Sequence, residues 1–292
     1  MKIILSRKGF DSKNGGVPSP ILPDGTLVSL PIPAGKADKG AIRYDVLRAP
    51  KVTLGRLVDD LTDGTVTPRH RAHLDPDLRE SALATRKPGW RPIFGQGGKA
   101  QSHLAWEEVD EDDLFLFFGW FRQTEKVGGH YRFVRGTPHL HVLFGWLQIA
   151  EICEAGPALR ASAQPWARYH SHYNFETPRN TVYIARKNLK LPGLRQQLPG
   201  AGVFSQFIDD LCLTAPTPNK LRSIWQLPRW FMPTKTESLL SCHHDIERWK
   251  LRPGFCQLKT VNIGQEFVLD ADNCPEATKW AKNLITNAAK QV

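Results

Sequence analysis

DDLFLFFGWFRQT at residues 112–124 and HLHVLFGWLQIAEI at residues 139–152 decide how this chain folds. Both are runs of aromatic and aliphatic residues too short for typical helices, and they read as strands. EKVGG turns the chain between them, and HYRFVRG at 130–136 continues the extended region. Each run contains the word F-G-W, so each puts a glycine in a strand interior. Such a glycine weakens a strand unless a bulge or a close neighbour requires it. Phe115, Phe117 and Phe144 are expected in the core. Trp120 and Trp146 read equally as core or as faces on which an extruded base stacks, worth about 1–3 kcal/mol per base.

Outward from this centre, KIILS at 2–6, NTVYIARKNL at 180–189 and TVNIGQEFVLD at 260–270 read as further strands. Leu54, Leu57, Val58 and Leu61 recur at helical spacing behind Thr53, a candidate N-cap. Ala277, Trp280, Ala281, Leu284 and Ile285 do the same behind Asn273-Cys274-Pro275. Phe204, Phe207, Ile208 and Leu211 also have helical spacing. RKPGWRPIFGQGGKAQSHL at 86–104, rich in glycine and cations, reads as a long loop. The expected fold is α+β, with a mostly antiparallel central sheet flanked by helices. No shift in composition marks a boundary, so residues 1–292 are expected to form one domain with a β-rich centre at about 110–190.

The chain has 292 residues and a formal net charge of +10, which favours a polyanionic partner, most simply DNA or a nucleotide. Five cysteines without a C-x-x-C pair point to reduced thiols in a cytoplasmic chain and away from a zinc knuckle. MKIILSRKGFD is too short an apolar run for a signal peptide, and LFLFFGWF at 114–121 is too short to span a bilayer. No membrane partner is expected.

SRKGFDSKNGG at 6–16 is the most heavily loaded loop. Its glycines can open an anion nest of backbone N–H groups. Ser6, Arg7, Lys8 and Ser12 are candidate phosphate ligands, and Asp11 a candidate acid or base. The plainer alternative is a solvated turn built on Asp11 and Ser12. It is not a Walker loop. In RAHLDPDL an extended chain would put His73, Asp75 and Asp77 on one face, suiting a divalent cation or an acid/base pair; Asp75-Pro76 is also an ordinary turn signal. YHSHYN at 169–174 sets His170 and His172 together, with His172 and Asn174 the preferred pair. His139 and His141 in HLH read as packed strand histidines; Cys242, His243 and Asp245 of CHHD at 242–245 are candidate ligands, with a solvated helix face the preferred reading. Arg222 and Ser223, beside Trp225 and Trp230, form a candidate phosphate and stacking patch.

Two resemblances follow. The paired F-G-W strands resemble the small barrels of the PUA-like group, which includes the ASCH and EVE modules and in which bases are read. More extensively, S-R-K-G-F-D-S-x-x-G-G-x-P-S-P-I, H-L-D-P-D, F-L-F-F-G-W-F, F-G-W-L-Q, H-x-H-Y-N and G-Q-E-F-V together resemble the third type of nucleotide modification associated domain, from Met1 to about Asp270. That family takes its name from association with genes that hypermodify bases in phage and bacterial DNA, so the resemblance implies a nucleotide or nucleic-acid setting, with other base-modification proteins as partners. It supplies no reaction. The expected function is an enzyme of group transfer or hydrolysis at a nucleotide, with Asp11, His73, Asp75 and His172 as its reactive groups and a divalent metal as a possible cofactor. The alternative is a non-catalytic reader of modified bases, in a role such as phage defence. Convergence of those four residues in one cleft favours the enzyme. Trp120 and Trp146 lining an open pocket favour the reader.

Overall fold

A computed structural model describes residues 1–36, 38, 40–155, 164–174, 178–216, 221–234, 238–261 and 264–289. The elements used below are strands β1 (Lys2–Arg7), β2 (Ser19–Ile21), β3 (Ile93–Gln96), β4 (Leu114–Val127), β5 (His130–Phe133), β6 (Leu140–Glu154), β7 (Thr181–Ala185), β8 (Ala201–Val203), β9 (Ile224–Pro228), β10 (Trp249–Arg252), β11 (Phe255–Lys259) and β12 (Glu266–Asp270). The helices are α1 (Leu54–Leu61), α2 (Gly98–Trp106), α3 (Ser171–Asn174) and α4 (Pro275–Ala289).

β4 and β6, the two F-G-W runs, pair antiparallel at the centre of a nine-stranded sheet. Its order is β12-β1-β4-β6-β7-β3, with β2 and β5 also on β4 and β8 on β6. β1 and β2 run parallel to β4, and the remaining pairs of this sheet are antiparallel. The fold is α+β, as expected, and β9, β11 and β10 form a separate three-stranded sheet.

Both strand glycines answer to close neighbours. A Cβ on Gly119 would lie 2.8 Å from the Lys8 carbonyl oxygen. One on Gly145 would lie 2.5 Å from Leu78 Cδ1, and the β4–β6 register shifts between Leu143 and Gly145. Phe115 and Phe117 stack on each other beneath Phe94 of β3 and Tyr183 of β7. These rings belong to the main apolar core, whose burial stabilises the fold.

Three expectations are corrected. Among the described residues no backbone pairing closes the sheet into a PUA-like barrel. Its end strands meet through side chains: Gln96 Nε2 of β3 donates to Glu266 Oε1 of β12 at 2.5 Å. Residues 86–104 are not one loop, because they contain β3 and most of α2; the glycines there serve close packing and the helix start. Phe204–Leu211 is not a helix, since its apolar residues cap the sheet edge from β8 and end in a single 3-10 turn at Asp209–Leu211. α1 and α4 form as the periodicity predicts, with Pro275 at the first position of α4. Thr53 occupies the N-cap position of α1 without a side-chain cap bond. The Asn174 side chain lies outside the described residues.

Glu266 Oε1 also accepts from Lys8 Nζ at 3.0 Å, and both side chains are nearly inaccessible. Removing one partner of a buried ion pair strands the other charge at a cost of about 3–5 kcal/mol, whereas replacing both by apolar groups costs far less. Urea unfolding should therefore show Glu266→Leu strongly destabilised and the Lys8→Met/Glu266→Leu double variant recovering much of the loss. Strictly additive losses would contradict a buried, coupled pair.

Candidate functional site

β1 delivers the loop Arg7–Asn14 to the rim of a cleft of about 600 Å³. The remaining lining comes from distant segments: His73 and Asp75, Gly95 and Gln96 of β3, Trp120 of β4, His141 of β6, His172 of α3, and Arg222, Ser223 and Trp225 at the start of β9. The volume is in the range of pockets that hold small molecules.

One wall is an imidazole–carboxylate cluster. Asp75 accepts at Oδ1 from the Gly95 N–H at 2.7 Å, and His170 Nε2 lies 3.3 Å from the same oxygen. The other oxygen, Oδ2, faces His73 Nε2 at 4.0 Å and His172 Nε2 at 3.9 Å. Each of these imidazoles is oriented from behind. His73 Nδ1 lies 2.7 Å from Asp38 Oδ2, and His172 Nδ1 lies 2.5 Å from Asn180 Oδ1. Asn180 Nδ2 donates to the His172 carbonyl at 2.9 Å, which fixes the amide's orientation. Gly95 makes the packing possible, since a Cβ there would sit 2.2 Å from His172 Cγ. Burial would raise the Asp75 carboxyl, but the His170, His172 and His73 imidazoles outweigh it and hold the group well below its ordinary range. Burial pushes His172 down to about 4, against the pull of Asp75.

Asp77 does not share this face. It is buried and takes both oxygens to Arg86, at 2.7 and 2.8 Å, and accepts from the Tyr169 hydroxyl at 2.5 Å. Tyr169 immediately precedes His170, so Asp77 anchors the segment that carries the histidines rather than joining them.

The other wall is basic and aromatic. The Arg222 guanidinium lies 4.2 Å above the Trp120 ring, and Trp120 Nε1 donates to His139 Nδ1 at 2.8 Å. Burial lowers the Arg222 pKa and the charge of Arg7 adds to this, while Asp11 opposes both. Two guanidinium groups thus sit close together, and among the described residues neither forms an ion pair. Ser12 and Ser223 also line the cleft.

Other expected site residues lie differently. Lys8 lines the cleft, but its ammonium is committed to Glu266 and lies 4.5 Å from the Phe94 ring centre. Ser6 is fully buried in β1 and is not a lining residue. The Asp11 carboxylate accepts from the Lys13 and Asn14 N–H groups, both at 2.7 Å, and from the Asn14 amide; it builds the turn expected of an Asx residue and lines the same cleft as the imidazoles. Trp146 is a core residue, packed on Phe204 and Gly202, with Nε1 donating to the Pro199 carbonyl at 3.2 Å. CHHD is not a solvated helix: His243 is buried, Cys242 is exposed, and Asp245 caps a 3-10 turn.

Sequence reasoning missed Asp38, Asn180, Gly95, Gln96 and Glu266. Glu266 left one signal, a carboxylate immediately before the apolar run Phe267–Leu269. Asp38 left none, because it reaches His73 from an irregular segment. His170 was visible in the H-x-H pair but set aside for His172.

His141 is buried beside Phe118 and accepts from Trp225 Nε1 at 2.9 Å. Burial, with Arg222 and Arg7 adding to it, pushes it down to about 3, and burial pushes His243 down to about 4. Both titrate near 6.5 once unfolded, so the unfolded chain binds more protons below that pH and stability falls as pH falls through 6.5. Between pH 7 and pH 5 each should cost about 2 kcal/mol in urea unfolding. His243→Gln should remove its share of that slope; an unchanged slope would mean that the imidazole is charged or solvated.

All five cysteines are free, and among the described residues no helix is long and apolar enough to cross a membrane. No curated protein and no solved structure matches this chain. A family model does, over residues 2–270, which takes in the opening loop, both walls of the cleft and the sheet as far as the end of β12. The chain belongs to the family described as nucleotide modification associated domain 3.

Proposed function

We propose that this protein is an enzyme acting on a nucleotide, free or within DNA, in a base-modification pathway. The family association supports the nucleotide setting. The observation that carries the enzymatic reading is the meeting, in one cleft, of two guanidinium groups without ion-pair partners among the described residues and a buried imidazole–carboxylate cluster. Arg7 and Arg222 are a site for phosphate oxygens, with the Ser12 and Ser223 hydroxyls beside them, since charge-assisted bonds from guanidinium to phosphate are strong and directional. Trp120, already carrying Arg222 on its face, offers a ring edge and surface to a base or sugar. His73, Asp75 and His172 then face the reacting group. The reaction class is group transfer or hydrolysis at the base or its glycosidic bond. The reader alternative loses one of its two stacking walls, because Trp146 is committed to the core. Free thiols fit a reducing, cytoplasmic setting, and DNA or nucleotides, with other base-modification proteins, are the partners.

Two measurements test this. Oligonucleotide affinity should fall steeply with salt, and Arg7→Gln or Arg222→Gln should each lower the slope of log affinity against log salt by about 1. Asp75→Asn should leave nucleotide binding within about threefold of the parent and reduce conversion, followed by mass spectrometry of the nucleosides, by about 10²-fold or more. A salt-independent affinity would remove the phosphate site, and full activity in Asp75→Asn would remove the cluster from the chemistry.

A further inference from the structure

We propose that His73 Nε2, Asp75 Oδ2 and His172 Nε2 form a mononuclear site for a divalent first-row transition metal, with its remaining coordination positions open to the cleft. This deepens the nucleotide reading of the same cleft and names the cofactor that the reading lacks.

Asp38 Oδ2, 2.7 Å from His73 Nδ1, is a carboxylate oxygen and only accepts, so His73 carries its proton on Nδ1. Asn180 donates through Nδ2 to the His172 carbonyl, so the group facing His172 Nδ1 is the amide oxygen, and His172 too is protonated on Nδ1. Both Nε2 atoms therefore present lone pairs. They do so toward Asp75 Oδ2, whose partner oxygen Oδ1 is held by the Gly95 N–H. Three acceptors converge with no proton among them to share.

The distances fit the same conclusion. At 4.0 and 3.9 Å, the Nε2–Oδ2 separations exceed any hydrogen bond. All three donor atoms lie within 4.8 Å of one another. An ion bound at about 2.0–2.2 Å to each would bring them to separations of roughly 3.4 Å in a tetrahedral arrangement, a contraction of about half an ångström for each nitrogen–Oδ2 pair. A hydrogen-bonded acid/base network would have closed these gaps already.

The surroundings are those of a metal site. Ligating histidines typically donate their second ring N–H to a carboxylate or carbonyl oxygen, which both imidazoles do here. Two imidazoles and one carboxylate suit zinc or iron(II) and disfavour magnesium and calcium, which prefer all-oxygen sets. The three ligands line the cleft, so water or a substrate atom can complete the shell.

The test reads metal directly on the full chain without nucleotide, so its failure is separable from failure of the nucleotide reading. The protein is stripped with chelator, dialysed, and titrated with Zn²⁺, with Fe²⁺ under anaerobic conditions, and with Mg²⁺. One equivalent of Zn²⁺ or Fe²⁺ should bind and Mg²⁺ should not compete. X-ray absorption at the metal edge should show two imidazole nitrogens with oxygen donors and no sulfur. Asp38→Asn, which keeps the ligands, should weaken binding about 10- to 100-fold with unchanged circular dichroism. The proposal is overturned by absence of stoichiometric binding, by sulfur in the absorption spectrum, or by unaltered affinity in folded Asp38→Asn. The spectrum on the unmutated chain decides the matter even where a ligand variant fails to fold.

Discussion

A single buried carboxylate holds the two ends of the main sheet together. Glu266 enters β12 at a fully enclosed position and accepts at one oxygen from both Lys8 and Gln96. Lys8 follows β1 and Gln96 ends β3, so three chain segments separated by 88 and 170 residues or more converge on one atom. Desolvating these charges is expensive, and the two bonds to Oε1 offset part of that cost. Lys8, expected as a phosphate ligand, lines the cleft but commits its ammonium to this buried contact.

The two walls of the cleft are built by different means. The basic wall rests on strands and on a stack of Arg222, Trp120 and His139 that follows the register of β4 and β6. The histidine wall rests on irregular chain, and is made rigid by buried polar contacts: Asp38 behind His73, Asn180 behind His172, Gly95 beneath Asp75, and the Arg86–Asp77–Tyr169 network beneath His170. Loops can hold reactive groups accurately when their own side chains are locked in this way. Asp38–His73, Gly95–Asp75 and Tyr169–Asp77 join segments 35, 20 and 92 residues apart, whereas Asn180–His172 and Arg86–Asp77 span only 8 and 9.

That explains which parts were legible in the amino-acid sequence. β4, β6, α1 and α4 carry their signal locally, in apolar runs or in a helical repeat. His73, Asp75 and His172 stood out because imidazole and carboxylate groups recur at short spacing, and the structure brings these three together. Residues 86–104 were misread because glycine content usually means a loop, whereas Gly95 is there to admit an imidazole from a segment 77 residues on. Ser6 and Trp146 point into the core for a related reason: residue type indicates what a side chain can do, but the pleat and the neighbouring strands decide whether it meets solvent. Asp38 and Asn180 were invisible because their importance lies wholly in what they touch.

The contact between Gly95 and His172 has an evolutionary corollary. There is no room at position 95 for even a methyl group while an imidazole occupies position 172. Descendants of this fold that acquire a side chain at the first position must surrender the ring at the second, so the two columns of any alignment are bound to vary as a pair, and a lineage that has left glycine behind will also have abandoned this wall's chemistry.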